Sequence, residues 1–300
     1  MATKVVVTGG RGFIGSHIVD ALVVHGCDVH VIDSAETERE KNPKATYHVT
    51  DIRDVAAVTP ILSGSDCIFH EAALPRVQYS IENPIETFSV NVDGSIALLK
   101  AAVDAKVRRF VFASSAAVYG DQSSMPLSED MRVYPKSPYG LHKYIIEEAC
   151  RLWSELYGLE TVSLRYFNAY GPRLDPNGAY ALAVGKFLRL RVEKKPIEIW
   201  GDGTNTRDYV HVSDIVRANM CAMESSKVGK GEVINIGTGR ETDVNTLASL
   251  IGGDITHIDA RIEPGRAQAN VKKAKELLAW ESTIPLTEGI AALKREFNIA

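Results

Sequence analysis

Short apolar runs alternate with stretches of helical spacing through the first half of the chain, and polar turns separate them. Lys4–Thr8, Asp28–Asp33, 45–49, 66–69, 109–113 and 161–165 read as strands, most of them rich in Val, Ile or Phe. Residues 16–25, 53–62, 85–105 and 139–156 carry helical spacing between them. Segments 36–44 and 122–138 are polar and read as loops. Strict alternation of strand and helix predicts an α/β fold built on a doubly wound parallel sheet. From about Gly171 the alternation weakens. There, 172–178 reads as a mobile loop, 179–192 as a helix, 198–200 as a short strand and 201–204 as a turn, and 233–236, 246–251 and 274–278 supply further small elements. No internal repeat and no low-complexity segment interrupts the pattern.

The junction of the first strand and first helix carries chemistry. It reads Gly9-Gly10-Arg11-Gly12-Phe13-Ile14-Gly15, a G-x-x-G-x-x-G spacing. Such glycines allow a tight turn, close backbone approach to a pyrophosphate and close helix–strand packing, and the helix N-terminus adds free N–H groups and positive potential. Gly9, Gly12, Phe13, Ile14 and Gly15 are therefore candidate cofactor contacts. The second strand ends at Asp33, whose carboxylate suits an adenosine ribose and repels a 2′-phosphate. Ser34 and Ala35 follow, without the Arg that would welcome NADP, so NAD is the expected cofactor. Asp51 and Ile52 are candidates for the adenine, although Asp51 also reads as the N-cap of the next helix. Ala72, Ala73 and Leu74 follow the fourth strand, where small residues let a cofactor approach. His70 and Asn91 read as structural hydrogen-bonding residues.

Gly9, Asp33, His70–Ala73 and Ser115 all fall at strand ends, where ligands bind in such sheets. These observations predict a Rossmann-type NAD-binding domain over 1–167, revisited near 205–238, and a smaller C-terminal α/β lobe over 168–300 for substrate. Ser114 and Ser115 close the fifth strand, and Tyr139 and Lys143 lie one helical turn apart on a later helix. A Y-x-x-x-K spacing alone describes many exposed helical pairs. Beside a Ser at a strand end it suits proton removal from an alcohol during hydride transfer: Tyr139 takes the proton, a nearby Lys143 ammonium lowers its pKa, and Ser115 holds the oxygen.

Composition narrows the class. With 45% hydrophobic and 24% charged residues the 300-residue chain is ordinary globular protein, and its net charge of −4 without a basic block does not favour nucleic acid. Cys27, Cys67, Cys150 and Cys221 are widely spaced, which indicates neither a metal site nor a disulfide framework. No signal peptide or membrane-length apolar run is legible, so a cytoplasmic enzyme is expected.

With these residues assembled, the chain resembles the extended short-chain dehydrogenase/reductase family, and within it the nucleotide-sugar 4-epimerases. Further signals are His70-Glu71-Ala72-Ala73, Ser114-Ser115-Ala116-Ala117-Val118-Tyr119-Gly120, Arg165-Tyr166-Phe167-Asn168 and Arg207-Asp208-Tyr209-Val210-His211-Val212. The resemblance implies a tightly held NAD, a UDP-sugar substrate and a homodimer formed through the 85–105 and 139–156 helices. It implies that Ser114, Tyr139, Lys143 and Phe167 join the cofactor contacts, Lys143 on the nicotinamide ribose and Phe167 near the nicotinamide. Asn168 and Arg207 would bind the diphosphate and Trp200 would lie beside uracil. Without the resemblance, Trp200 reads as core and Arg207 as a surface ion-pair former. Either Arg261 or Arg266 would reach phosphate, in a stretch shortened between Gly265 and Lys273. Residues 267–270 face the sugar in relatives and are small here, which would admit an N-acetyl group. Related dehydratases and decarboxylases carry acids where this chain has Ala116 and Ala117, so the resemblance points to epimerisation. A net NAD-dependent oxidoreductase and a non-catalytic NAD-binding scaffold remain the alternatives.

Overall fold

The structure is a computed structural model and describes residues 2–36, 41–175, 183–259 and 265–299. Its first half runs β1 (Lys4–Thr8), α1 (Phe13–Val24), β2 (Asp28–Asp33), β3 (Thr46–Val49), α2 (Val55–Leu62), β4 (Cys67–His70), α3 (Val77–Glu82), α4 (Pro84–Phe88), α5 (Gly94–Asp104), β5 (Arg109–Ser115), α6 (Pro138–Tyr157) and β6 (Glu160–Tyr166). The second half runs β7 (Asn168–Tyr170), α7 (Ala183–Val192), β8 (Ile197–Trp200), β9 (Thr206–Arg207), β10 (Tyr209–His211), α8 (Val212–Glu224), β11 (Lys230–Ile236), β12 (Thr242–Asp243), α9 (Val244–Ile251), β13 (Ile255–Ile258), α10 (Lys272–Leu278) and α11 (Leu286–Glu296).

A seven-stranded sheet in the order β11-β6-β5-β4-β1-β2-β3 forms the centre. Every pairing in it is parallel. Period-two alternation divides its strands between two cores. Val5 and Val7 point into one, with residues of α1 and α8, while Val6, Phe110 and Phe112 point into the other, with residues of α2, α5 and α6. The chain leaves β1 toward β2 and β3, then returns to β4 on the other side of β1. That reversal parts the loops above the carboxyl ends of β1 and β4 and opens a crevice there. Outside the main sheet β7 pairs with β10, β9 with β12 and β8 with β13.

Three segments differ from the sequence expectation. The helix expected over 85–105 is interrupted: α4 ends at Phe88, a π-turn spans Ser89–Asp93, and α5 begins at Gly94. The π-turn carries Asn91, whose side chain is committed to Leu74 as described below. Second, α8 and α11 were not anticipated. α8 buries Val212, Ile215, Val216, Asn219, Ala222 and Met223, a helical spacing, but its N-cap is His211, outside the usual cap residues. Third, the expected loop over 172–178 lies partly outside the described residues, as do residues 179–182 of the expected helix; α7 begins at Ala183. No helix among the described residues is long and apolar enough to cross a membrane.

Candidate active site

A cleft of about 430 Å³ occupies the crevice between β1 and β4. Gly9, Gly12, Phe13, Ile14, Gly15, Asp33, Asp51, Ile52, Ala72, Ala73 and Leu74 all line it. The glycine loop is packed against its surroundings. Gly9 has φ +67°, and a Cβ there would stand 2.7 Å from the Ala72 nitrogen; at Gly15 it would stand 2.2 Å from the Gly9 carbonyl oxygen. No side chain caps α1 at Gly12, so its first turn presents N–H groups at the cleft. Asp33 accepts the Arg11 and Ala35 amides, each at 3.0 Å, which fixes its carboxylate at the end of β2.

A hydrogen-bond chain under the cleft holds the opposite wall. The Ala72 amide donates to the Thr8 hydroxyl at 3.3 Å, and that hydroxyl meets His70 Nδ1 at 2.7 Å. His70 Nε2 meets Ser95 Oγ at 2.7 Å, and Ser95 spends its own proton on the Asn91 carbonyl. Nε2 must therefore be the ring donor and Nδ1 the acceptor from Thr8. Burial, together with the Lys143 charge, lowers the His70 pKa to about 3, so the ring is neutral. Asn91 completes the chain by accepting the Leu74 amide at 2.7 Å and donating to its carbonyl at 3.0 Å. The two residues read as structural hydrogen-bonders thus fix Ala72 and Leu74 in the cleft wall.

The N-cap reading of Asp51 is corrected. Asp54 caps α2, accepting the Ala57 amide at 3.1 Å. Asp51 accepts instead from the Arg53 amide and guanidinium, at 2.6 Å in the closest contact, and the Arg53 hydrogen bond holds its pKa below the usual range.

Ser115 and Tyr139 come together where α6 begins. Ser137 caps that helix by accepting the Gly140 amide at 3.1 Å, and Pro138 occupies its first turn. The Tyr139 amide donates to Ser80 Oγ at 3.0 Å. A Cβ on residue 140 would stand 2.5 Å from the Ala117 carbonyl oxygen, so Gly140 lets α6 close on the turn after β5. Ser115 accepts the Ala117 amide at 3.1 Å, and its side chain lies near enough the Tyr139 phenol to favour the phenolate. Burial pushes the Tyr139 phenol up to about 12; the Ser115 side chain opposes this and the Glu71 charge adds to it. Lys143 does not hydrogen-bond the phenol. Its ammonium donates to the Ala113 carbonyl at 2.7 Å and lies 5.8 Å from the Tyr139 ring centroid. The lowered phenol expected from Lys143 is thus not seen in the protein alone, because desolvation dominates.

Strand alternation separates the paired serines. Ser114 faces α6 and donates to buried Glu147 at 2.5 Å, and Glu147 also pairs with Arg165 at 2.7 Å. The Ser114 hydroxyl is therefore turned away from Ser115, leaving its backbone for any cofactor contact. Phe167 is buried against Tyr119, with ring centroids 6.4 Å apart. Trp200 is 37% exposed, not core, and Lys186 Nζ lies 5.2 Å from its ring centroid. Asn168 donates to the Asp208 carbonyl at 3.0 Å. Arg207 and Arg266 sit on neighbouring segments: the Thr206 amide donates to the Gly265 carbonyl and the Ala267 amide to the Thr206 carbonyl. Arg207 donates to the Thr206 carbonyl, while Arg266 forms a two-bond pair with Glu241. Arg261 lies outside the described residues.

The family model for the NAD dependent epimerase/dehydratase family matches residues 5–237. The chain belongs to that family. Its NAD fits the residues present, since the glycine loop has no room for a Cβ, the α1 N-terminus is uncapped and Asp33 faces the cleft. A putative UDP-glucose 4-epimerase of Methanocaldococcus jannaschii is 40% identical to this family member over 297 residues, covering 95% of each chain. Among solved structures, the UDP-glucose 4-epimerase of Thermotoga maritima with UDP-glucose is 36% identical, with a TM-score of 0.93 over 99% of both chains. The UDP-N-acetylglucosamine 4-epimerase of Methanobrevibacter ruminantium, in complex with UDP-N-acetylmuramic acid, is 32% identical, with a TM-score of 0.90 over 98% of this chain and 99% of that one.

Arg11 and Glu71 are among the cleft-lining residues that the sequence reading passed over. Arg11 stands inside the glycine loop and lays its guanidinium over the Tyr47 ring, 5.2 Å from the centroid. Glu71 stands inside a quoted motif without a role, although a charged residue directly after a buried apolar strand was a legible signal.

Proposed function

We propose that this protein is an NAD-dependent UDP-hexose 4-epimerase, acting on UDP-glucose and UDP-galactose and admitting their N-acetyl forms. The observation that carries the reading is the junction of β5 and α6: the Ser115 side chain stands by the Tyr139 phenol and favours its ionisation, and the adjoining turn of Ala116, Ala117 and Val118 carries only apolar side chains. That turn offers no acid to expel water, so proton transfer rests with the tyrosine and serine. Bound NAD would supply reversible hydride exchange at the sugar C4, so that no net oxidation occurs. Tyr139 accepts the proton of the 4-hydroxyl and returns it to the same oxygen once the 4-keto sugar has turned its other face to the cofactor. Ser115 holds the reacting oxygen through its hydroxyl. Lys143 contributes a fixed positive charge that favours the phenolate. The domain over 1–167, with its return near 205–238, would hold NAD, and 168–300 would supply Asn168, Trp200, Arg207 and Arg266 to the nucleotide. Arg266 would exchange its Glu241 partner for phosphate, a charge-assisted bond of the same type.

A homodimer and a cytoplasmic setting belong to the same reading. Ile81, Ile85, Phe88, Leu141, Leu152 and Leu156 leave an apolar surface on α3, α4 and α6. The four cysteines are free thiols. A monomeric mass in solution would remove the dimer.

The test is to supply UDP-galactose or UDP-N-acetylgalactosamine without added NAD and follow inversion at C4 by proton NMR. Conversion without accumulating NADH is expected, and Tyr139→Phe should lose at least about 1,000-fold in kcat while retaining NAD. Steady release of NADH would replace the epimerase by a net oxidoreductase. Wild-type turnover in Tyr139→Phe would remove the phenol from the chemistry.

A further inference from the structure

Asp208 lies between β9 and β10 and is fully buried. Its carboxylate gathers hydrogen bonds from two distant segments. Oδ1 accepts the Thr238 amide at 2.7 Å and the Thr238 hydroxyl at 2.6 Å. Oδ2 accepts the Gly239 amide at 2.9 Å and the Ala269 amide at 3.1 Å. Both oxygens are thus filled by donors, as suits an ionised carboxylate, which only accepts. The same segments are also joined directly. Gln268 Nε2 donates to the Gly239 carbonyl at 2.9 Å. A Cβ on Gly237 would stand 2.9 Å from Asp208 Oδ2 and 2.6 Å from the Ala269 Cβ, so the turn after β11 fits there only without a side chain. The backbone at Asp208 carries the groups read as diphosphate contacts: Arg207 precedes it, and Asn168 of β7 donates to its carbonyl at 3.0 Å.

We propose that Asp208 is the positioning residue of the diphosphate site: its carboxylate, pinned to the turn after β11 and to Ala269, sets where Arg207 and Asn168 stand. The inference deepens the functional reading and rests on Arg207 and Asn168 as the diphosphate contacts. A long side chain is aimed by the backbone it leaves. Neighbouring residues of an extended segment point to opposite sides, so anchoring Asp208 inward fixes the direction in which Arg207 departs. Asn168 is held at the same residue, so both groups share one anchor. Burying a carboxylate carries a desolvation cost that hydrogen bonds offset, and an apolar side chain would fill the space without it. What the carboxylate adds is direction, because it ties two segments to one residue.

Asp208→Asn keeps the shape and turns one acceptor toward amide donors as a second donor. Thr238→Val removes one hydroxyl donor, and Thr238→Ser restores it. Dissociation constants of UDP and of uridine are measured on the NAD-loaded protein by ligand-observed proton NMR. Uridine lacks the phosphates, so the ratio of the two constants separates the diphosphate site from a general loss of fold. In Asp208→Asn, UDP should weaken about tenfold, with uridine within about twofold of wild type. Thr238→Val should weaken UDP by about threefold in the same sense, and Thr238→Ser should bind as wild type does. The Thr238 pair decides the matter where Asp208→Asn folds poorly. A ratio that stays at the wild-type value in Thr238→Val and in folded Asp208→Asn overturns the proposal and leaves Asp208 a structural bond alone; equal weakening of UDP and uridine does the same. The reading beneath is tested separately and without turnover. Wild-type protein that binds UDP no tighter than uridine, or Arg207→Ala with an unchanged UDP constant, removes the diphosphate site itself, whatever the Asp208 and Thr238 variants do.

Discussion

Substituting Gly15 by Ala tests the glycine loop with a single carbon. That carbon would stand 2.2 Å from the Gly9 carbonyl oxygen and 2.9 Å from the Gly9 carbonyl carbon. Non-bonded heavy atoms rest at about 3.5 Å, so loop and helix must part by about 1 Å. Neither neighbour is a side-chain tip that could swing aside. The Gly9 amide is bound to the Ile32 carbonyl at 2.8 Å, and the Gly12 amide to the Gly9 carbonyl at 3.0 Å. Overpacking of this kind costs about 1–3 kcal/mol. The strained turn bond adds about 1 kcal/mol, and the better helix propensity of Ala offsets about 1 kcal/mol. The net loss of about 1–3 kcal/mol corresponds to a fall in Tm of roughly 2–6 °C for a chain of this size. Cofactor binding should suffer more visibly. Moving the α1 amides off the phosphates forfeits at least one charge-assisted hydrogen bond, about 1.5–3 kcal/mol, and weakens NAD by about 10- to 100-fold in Kd. The NAD carried through purification and a calorimetric titration measure this, alongside a thermal melt. A variant that melts lower yet binds NAD within twofold of wild type would show that the loop is only a structural turn.

His70 makes stability depend on pH. Its folded pKa of about 3 lies below the unfolded value of about 6.5, so the unfolded chain takes up a proton first. The contribution is complete above pH 6.5 and is lost as pH falls toward 3; about 2 kcal/mol should go between pH 6.5 and 5. Urea unfolding across that range should show this slope, and His70→Gln should flatten it; parallel curves would refute the neutral buried ring. Asp54→Ala removes the α2 cap and should cost about 1 kcal/mol in the same assay, with NAD affinity unchanged. Asp51→Ala should do the reverse and weaken NAD with little effect on unfolding; equal NAD affinities in Asp51→Ala and wild type would take Asp51 out of the cofactor site.

What could be read in advance followed from local signals. β1 was legible because its valines are buried on both faces and no polar position interrupts them. That the predicted residues share one cleft was legible because they are contiguous in short motifs at strand ends. The Ser114 side chain was not, since two adjacent serines look equivalent until strand alternation turns one toward Glu147. The interruption at Ser89–Asp93 was equally hidden: it accompanies a tertiary bond between Asn91 and Leu74, which no periodicity encodes. The Tyr139 phenol could not be placed either, because how far α6 is buried depends on elements 20 to 60 residues away, Ser80 and Ser115 among them.

Strand β11 completes the sheet by pairing with β6, yet it begins at Lys230, long after β6 has ended at Tyr166. On a ribosome adding about 5–20 residues per second, the intervening stretch takes roughly 3–13 s to synthesise. During that interval β6, which is buried from Thr161 to Tyr166 in the finished protein, is paired with β5 on one side and open along its other edge. The Asn219 that steadies Tyr166 also arrives late, from α8. The nascent chain therefore holds six of the seven strands of the sheet before it can shield that edge, and a neighbouring nascent copy is the competing partner. Chaperone demand during synthesis should concentrate in this window, before the last parallel strand seals the sheet.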